Sequence, residues 1–216
     1  MCRLLAVVSR NPMDVVKHLD AFALVCADSR EFQGHGWGCA VWRNDSWDQY
    51  RTVRPIWEDT FRPPGGVHVL LAHARSAFHN EDIHVDNNMP FVSSDQAFIF
   101  NGELHGVRLP LAGRTGAFRL FRFILNLSRQ DEDGAAGRAI TVLRRRTASI
   151  RACNFILADA RRLQVHSLFT TEADYFTMYR RRTTDELVIC SSPYHGDERE
   201  WIALPNNSLE VFSCSF

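Results

Sequence analysis

The sequence predicts an α+β fold in which two mainly antiparallel sheets pack between layers of helix. Three observations predict it. Apolar, β-branched runs recur from the N-terminus to about residue 102, two helical patterns then stand side by side, and strand-like runs resume to the C-terminal end.

Taken in order, residues 2–8 (CRLLAVV) read as a buried strand that opens on Cys2. Asn11 and Pro12 suit the N-cap and first position of a helix whose apolar stripe is Val15, Val16, Leu19, Phe22 and Ala23. Residues 37–43 alternate as a strand, and residues 48–53 return beside it. The run Pro63-Pro64-Gly65-Gly66 marks a turn into a strand over 67–75, which ends at His73 and Arg75. Residues 76–96 form a long polar connection of the kind that often carries binding residues, and 97–102 is a strand ending in Asn101-Gly102. An amphipathic helix follows over 117–127, with a second over 135–143. Strands are then expected at 154–158, 163–168, 175–179, 187–190 and 208–212.

Composition narrows the function classes. Lys plus Arg equals Asp plus Glu at 25 each, which argues against nucleic acid or an anionic membrane as the partner. The arginine runs at 144–146 and 180–182 read as solvated faces. No stretch approaches the ~18 apolar residues of a membrane span, and no charged-then-apolar leader opens the chain. Cysteines at 2, 26, 39, 153, 190 and 214 include no Cys-x-x-Cys pair. These features fit free thiols in a reducing, cytoplasmic setting and a single domain over residues 2–216 once Met1 is removed.

Cys2 is the leading candidate for chemistry. Without Met1 it carries both a thiol and a free α-amine that titrates near ~8, so one residue supplies nucleophile and proton acceptor. Downstream come Gly34-His35-Gly36-Trp37-Gly38, Leu71-Ala72-His73-Ala74-Arg75, Asn87-Asn88-Met89-Pro90-Phe91 and Phe100-Asn101-Gly102-Glu103-Leu104. In this order the segments, from Cys2 to about Phe123, resemble the standalone class II glutamine amidotransferases, whose catalytic domain is an N-terminal-nucleophile hydrolase. The resemblance implies a four-layer αββα sandwich, a thioester on Cys2, and an oxyanion hole made by the Asn101 side-chain amide and the Gly102 N–H. It implies that Arg75 holds the α-carboxylate of glutamine through its planar fork. Arg3, Trp37, Gly38 and His73 fall at supporting positions, and Asn87, Pro90 and Phe91 shape a loop. No cofactor is implied.

The chain also departs from that pattern. Gly116 stands where the family has an aspartate that binds the α-amine of glutamine, and Phe78 stands where it has a Ser or Thr. His35 replaces the Asp of D-G-W-G, and Met89 replaces a His. Recognition of the amino-acid end of free glutamine is therefore expected to be altered, with Glu103, Asp82 or His79 near enough in sequence to contribute. The residues His73, His79 and His84, interleaved with Asp82 and Asp86, match no metal-ligand spacing. The expected activity is cleavage of glutamine's side-chain amide or of a γ-glutamyl or modified amide. The substrate is a small molecule, and ammonia or an acyl group could pass to a partner protein. Acyl transfer from the same thioester, or a silent scaffold that kept the fold, are the alternatives.

Overall fold

The computed structural model describes residues 1–109, 112–131, 133–197 and 200–214. Strand β1 (Arg3–Met13) is followed by α1 (Val15–Ala27), β2 (Trp37–Arg43), β3 (Ser46–Thr52), β4 (Val67–Ala74), β5 (Phe91–Val92) and β6 (Ala97–His105). Then come the helices α2 (Gly116–Ser128) and α3 (Ala135–Arg146). The remaining elements are β7 (Ser149–Ala158), β8 (Arg162–Ser167), α4 (Ala173–Phe176), β9 (Tyr179–Arg182), β10 (Glu186–Cys190), β11 (Ile202–Ala203) and β12 (Ser208–Ser213).

The strands form a seven-stranded sheet, β11-β9-β10-β1-β4-β2-β3, and a five-stranded sheet, β12-β8-β7-β6-β5. Pairing is antiparallel throughout both. Strand β1 occupies the middle of the larger sheet and is buried on both faces, which is why its sequence is continuously apolar rather than alternating. Leu4, Ala6 and Val8 join Ala40, Val69 and Leu71 in a core shared with Phe98, Phe155 and Val165 of the smaller sheet. The helices α2 and α3 close that core with Leu120, Phe121, Ile124, Ala139 and Leu143. On the opposite face Leu5, Val7, Val41, Leu70 and Ala72 pack on Val15, Leu19, Phe22 and Cys26 of α1. The layers therefore run α1, larger sheet, smaller sheet, α2–α3, which is the expected α+β sandwich of the N-terminal-nucleophile type. Among the described residues, no helix is long and apolar enough to cross a membrane.

Two local expectations are corrected. The first helix does not start at Asn11-Pro12: β1 continues in extended form to Met13, with a shift in register after Val8. Asp14 is the true cap, its Oδ1 accepting from the N–H groups of Val16 and Lys17 at 3.1 and 3.3 Å. Residues 175–179 are not a strand. Tyr175 and Phe176 lie in α4, buried against Ala152, and β9 begins only at Tyr179. Aromatic residues suit strands by propensity, but here burial against β7 decides.

The Gly38 position shows how tightly β2 is enclosed between β3 and the segment that carries Met89. A Cβ there would lie 2.5 Å from the Met89 carbonyl oxygen and 2.7 Å from that of Tyr50. Both are backbone atoms, so they cannot swing aside. Gly38→Ala is expected to cost about 1–3 kcal/mol, with Tm falling roughly 2–4 °C per kcal/mol. Gly137→Ala, in the interior of α3 with its nearest neighbour at 3.9 Å, is expected to raise Tm instead. Thermal melts of both variants read the sign; a rise in Tm for Gly38→Ala overturns the close-approach argument.

Candidate active site

Cys2 precedes β1 at the end of the larger sheet where Ala74 and Trp37 terminate their ladders. Its thiol is partly buried and lies 3.8 Å from the Ser76 carbonyl oxygen. Burial pushes the thiol up, while the Met1 ammonium, the Ser76 contact and Arg75 pull it back down. The Cys2 N–H donates to Asn101 Oδ1 at 2.9 Å across the two sheets. That contact fixes the orientation of the carboxamide and leaves its Nδ2 without a partner among the described residues. Asn101 is 2% exposed, within β6 and opposite Asn154 of β7. Gly102 follows it at a close approach, for a Cβ there would sit 2.4 Å from the Ala152 carbonyl oxygen.

Arg75 follows the last residue of β4, near enough to Cys2 for their charges to interact, and is 9% exposed. Its Nη1 donates to the Asp82 carbonyl at 2.9 Å and to Asn88 Oδ1 at 3.4 Å. No carboxylate of the described residues pairs with it, so a buried guanidinium remains open to an anion. Burial lowers its pKa, opposed by Cys2 and Asp82. His35 packs nearby, its Nδ1 accepting from the Ala77 N–H at 2.9 Å, which fixes the neutral ring as the Nε2–H tautomer. Burial, Arg75 and the Met1 ammonium all lower its pKa.

The supporting residues are structural in placement. Arg3 donates Nε to Ser29 Oγ at 3.0 Å and lies 4.1 Å from the centroid of the Tyr175 ring, which ties the start of β1 to α4. Trp37 is fully buried and donates Nε1 to Asp59 at 2.9 Å. His73 is fully buried, and burial together with the Arg75 charge brings its pKa down to about 3. It is a neutral core residue.

The remaining candidates stand in different surroundings from one another. Phe78 does not fill an enclosed space: it is 64% exposed, its ring edge-on to His79, because a turn with left-handed His79 and Asn80 swings it outward. Gly116 begins α2 after the Thr115 cap, and a Cβ there would meet no atom within 4 Å. Glu103 is already committed. Arg151 and His105 hold its carboxylate at 2.7 and 2.8 Å, and although burial opposes its charge, they bring its pKa below the usual carboxylate range. Asp82 engages Arg75 through its carbonyl rather than its carboxylate. His79 and His84 lie at the surface, away from His73, and no three His, Cys, Asp or Glu of the described residues are arranged to hold a metal ion.

Sequence reasoning missed Glu31, Gln33 and Tyr175, which surround Met1. Glu31 pairs with the Met1 ammonium at 2.6 Å. Gln33 Nε2 and the Tyr175 hydroxyl both donate to the Met1 carbonyl at 2.7 Å. Nothing in local spacing announces them, since Tyr175 is 174 residues away in the chain.

No protein-family model matches the sequence, and no curated protein does. Solved structures do match. A glutamine aminotransferase class-II domain protein from Silicibacter pomeroyi is 18% identical with a TM-score of 0.65, over 98% of this chain and 95% of the other. A predicted glutamine amidotransferase from Pseudomonas aeruginosa is 13% identical with a TM-score of 0.60, over 100% and 97%. Glutamine phosphoribosylpyrophosphate amidotransferase from B. subtilis is 14% identical with a TM-score of 0.66; the match takes in 99% of this chain but 49% of that enzyme. These likenesses establish a shared fold.

Proposed function

We propose that this chain, which has the fold of class II glutamine amidotransferase domains, is a cysteine amidohydrolase whose nucleophile is Cys2 once Met1 has been removed. The observation that carries the reading is the contact between Cys2 N and Asn101 Oδ1 at 2.9 Å, with Arg75, which pairs with no carboxylate of the described residues, close enough for its charge to act on the thiol. The Cys2 sulfur attacks the amide carbon, and its proton passes to the α-amine, directly or through a water. The Asn101 Nδ2 and Gly102 N–H stabilise the oxyanion. Collapse of the tetrahedral species forms the thioester and expels ammonia or an amine, which takes the proton. Water then hydrolyses the thioester. An amine in place of that water makes the same site an acyltransferase. No cofactor enters this scheme, and a partner that accepts ammonia or the acyl group is compatible with it.

Arg75 selects the acyl half of the substrate by pairing with a carboxylate. The α-amine has no such partner: Gly116 offers open space and Glu103 is neutralised by its own neighbours. Burying an unpaired ammonium is costly. N-acetylglutamine is therefore expected to show a higher kcat/KM than glutamine, and Arg75→Ala to lower both. Gly116→Asp installs a carboxylate in open space and is expected to raise kcat/KM for glutamine by ~10-fold or more, the worth of one charge-assisted hydrogen bond. Steady-state kinetics on the two substrates decide the matter. Efficient turnover of glutamine with none of the N-acetyl form means that another residue already holds the α-amine.

A further inference from the structure

Met1 does not trail into solvent. It is 10% exposed and satisfied at every group it carries. Its ammonium meets Glu31, and its carbonyl accepts from Gln33 and Tyr175. Its side chain packs on the buried cluster of Ala152, Tyr175 and Phe176. Gln33 is fully buried, with its Oε1 left without a partner. A buried amide with one unpaired atom, a carboxylate, a phenol hydroxyl and an aromatic wall thus converge on one residue-sized volume. That volume opens directly from the Cys2 nitrogen. The Met1 ammonium is also the largest charge acting on the thiol.

We infer that this volume, once Met1 has gone, is the subsite for the amine half of the amide substrate, and that it selects an aminoacyl-like amine with a cationic group and an apolar body. The inference rests on the hydrolase reading above. In that reading the Cys2 nitrogen delivers the proton to the departing amine, so the amine must leave beside that nitrogen. In the same reading Arg75, whose charge acts on the thiol, holds the acyl half, and the Met1 volume, bonded to the nitrogen, is left for the amine half. An ammonium in it meets Glu31, an acceptor atom meets Gln33 and Tyr175, and an apolar chain meets the cluster of Ala152, Tyr175 and Phe176. By microscopic reversibility an amine acceptor for the thioester enters the same place. The thioester forms between Cys2 Sγ and the acyl carbon as the carbon–nitrogen bond breaks, and the amine departs with the proton.

The test uses full-length protein with Met1 removed, verified by intact mass, and L-methioninamide as probe. Calorimetry and ligand-observed NMR are expected to detect millimolar or tighter binding. N-acetyl-L-methioninamide, which lacks the ammonium, is expected to bind about 10-fold more weakly, as is the free probe to Glu31→Gln. Protein that retains Met1 should not bind the probe. Equal binding of the two probes, or binding unaffected by Met1, overturns the subsite. A second arm compares kcat/KM for the γ-glutamyl amides of 1,4-diaminobutane and of n-pentylamine, with about 10-fold preference for the first expected, lost in Glu31→Gln. Glu31-dependent probe binding without turnover of either amide keeps the subsite and removes the hydrolase reading. Equal turnover of both amides with no Glu31-dependent binding does the reverse.

Discussion

Cys2→Ala is expected to abolish amide hydrolysis, a loss on the order of 10⁴-fold or more, while leaving the fold in place. The thiol makes one long contact, to Ser76, and β1, which follows it, is held by its ladders to β4 and β10. The change in stability should therefore stay within about 1 kcal/mol. Activity, circular dichroism and intact mass on the same preparation are the measurements. Mass matters because an acylated Met1-bearing Cys2 nitrogen is an amide and has no basicity, so protein that keeps Met1 should be inactive even with Cys2 present. A Cys2→Ala protein with wild-type turnover removes the mechanism.

Asn101→Ala is expected to lower kcat by about 10²–10³-fold with a smaller effect on KM, because the Nδ2 donor acts on charge that develops only in the transition state. Alanine also removes the acceptor of the Cys2 nitrogen, so a second variant separates the two roles. Asn101→Asp keeps an oxygen facing that nitrogen and lacks the donor. If the oxyanion contact dominates, both variants lose kcat comparably. If Asp restores most of it, the residue serves to orient the Cys2 amine instead. A variant changed only in KM would place Asn101 in substrate binding.

The large features of the fold were legible because they rest on local pattern. The continuous apolar run of β1 reports a strand buried on both faces, and the stripes of α2 and α3 report helices with one face on the smaller sheet. What stayed hidden was tertiary. Pro12 reads as a helix start, yet β1 carries extended geometry through it, and Asp14 takes the capping role by hydrogen bonds that propensity ranks no higher than those of Asn11. Tyr175 and Phe176 look like strand residues until β7 supplies a surface that buries them as a single helical turn. At the site, the order of Cys2, Arg75 and Asn101 was readable in the motifs. The environment of Met1 was not, since Glu31, Gln33 and Tyr175 come from three places whose approach only the folded chain defines. Glu103 and Phe78 fall beside the motifs but are turned to other uses by Arg151 and by the left-handed turn at His79.

The two sides of the site differ in how much free energy it takes to disturb them. Cys2 is tethered to the central strand of a seven-stranded sheet, with neighbours on both edges and packed layers on both faces. Such a strand exchanges its amide hydrogens only when the whole molecule opens. Residues 78–84, by contrast, are all exposed, and they cover Arg75 through a single carbonyl contact from Asp82. That segment can open in a local fluctuation costing far less than global unfolding. In the proposed reading, the nucleophile is thus fixed for the lifetime of the folded state, whereas the side assigned to the anion is uncovered and covered many times within it, so that substrate would come and go without the reacting atom losing its place.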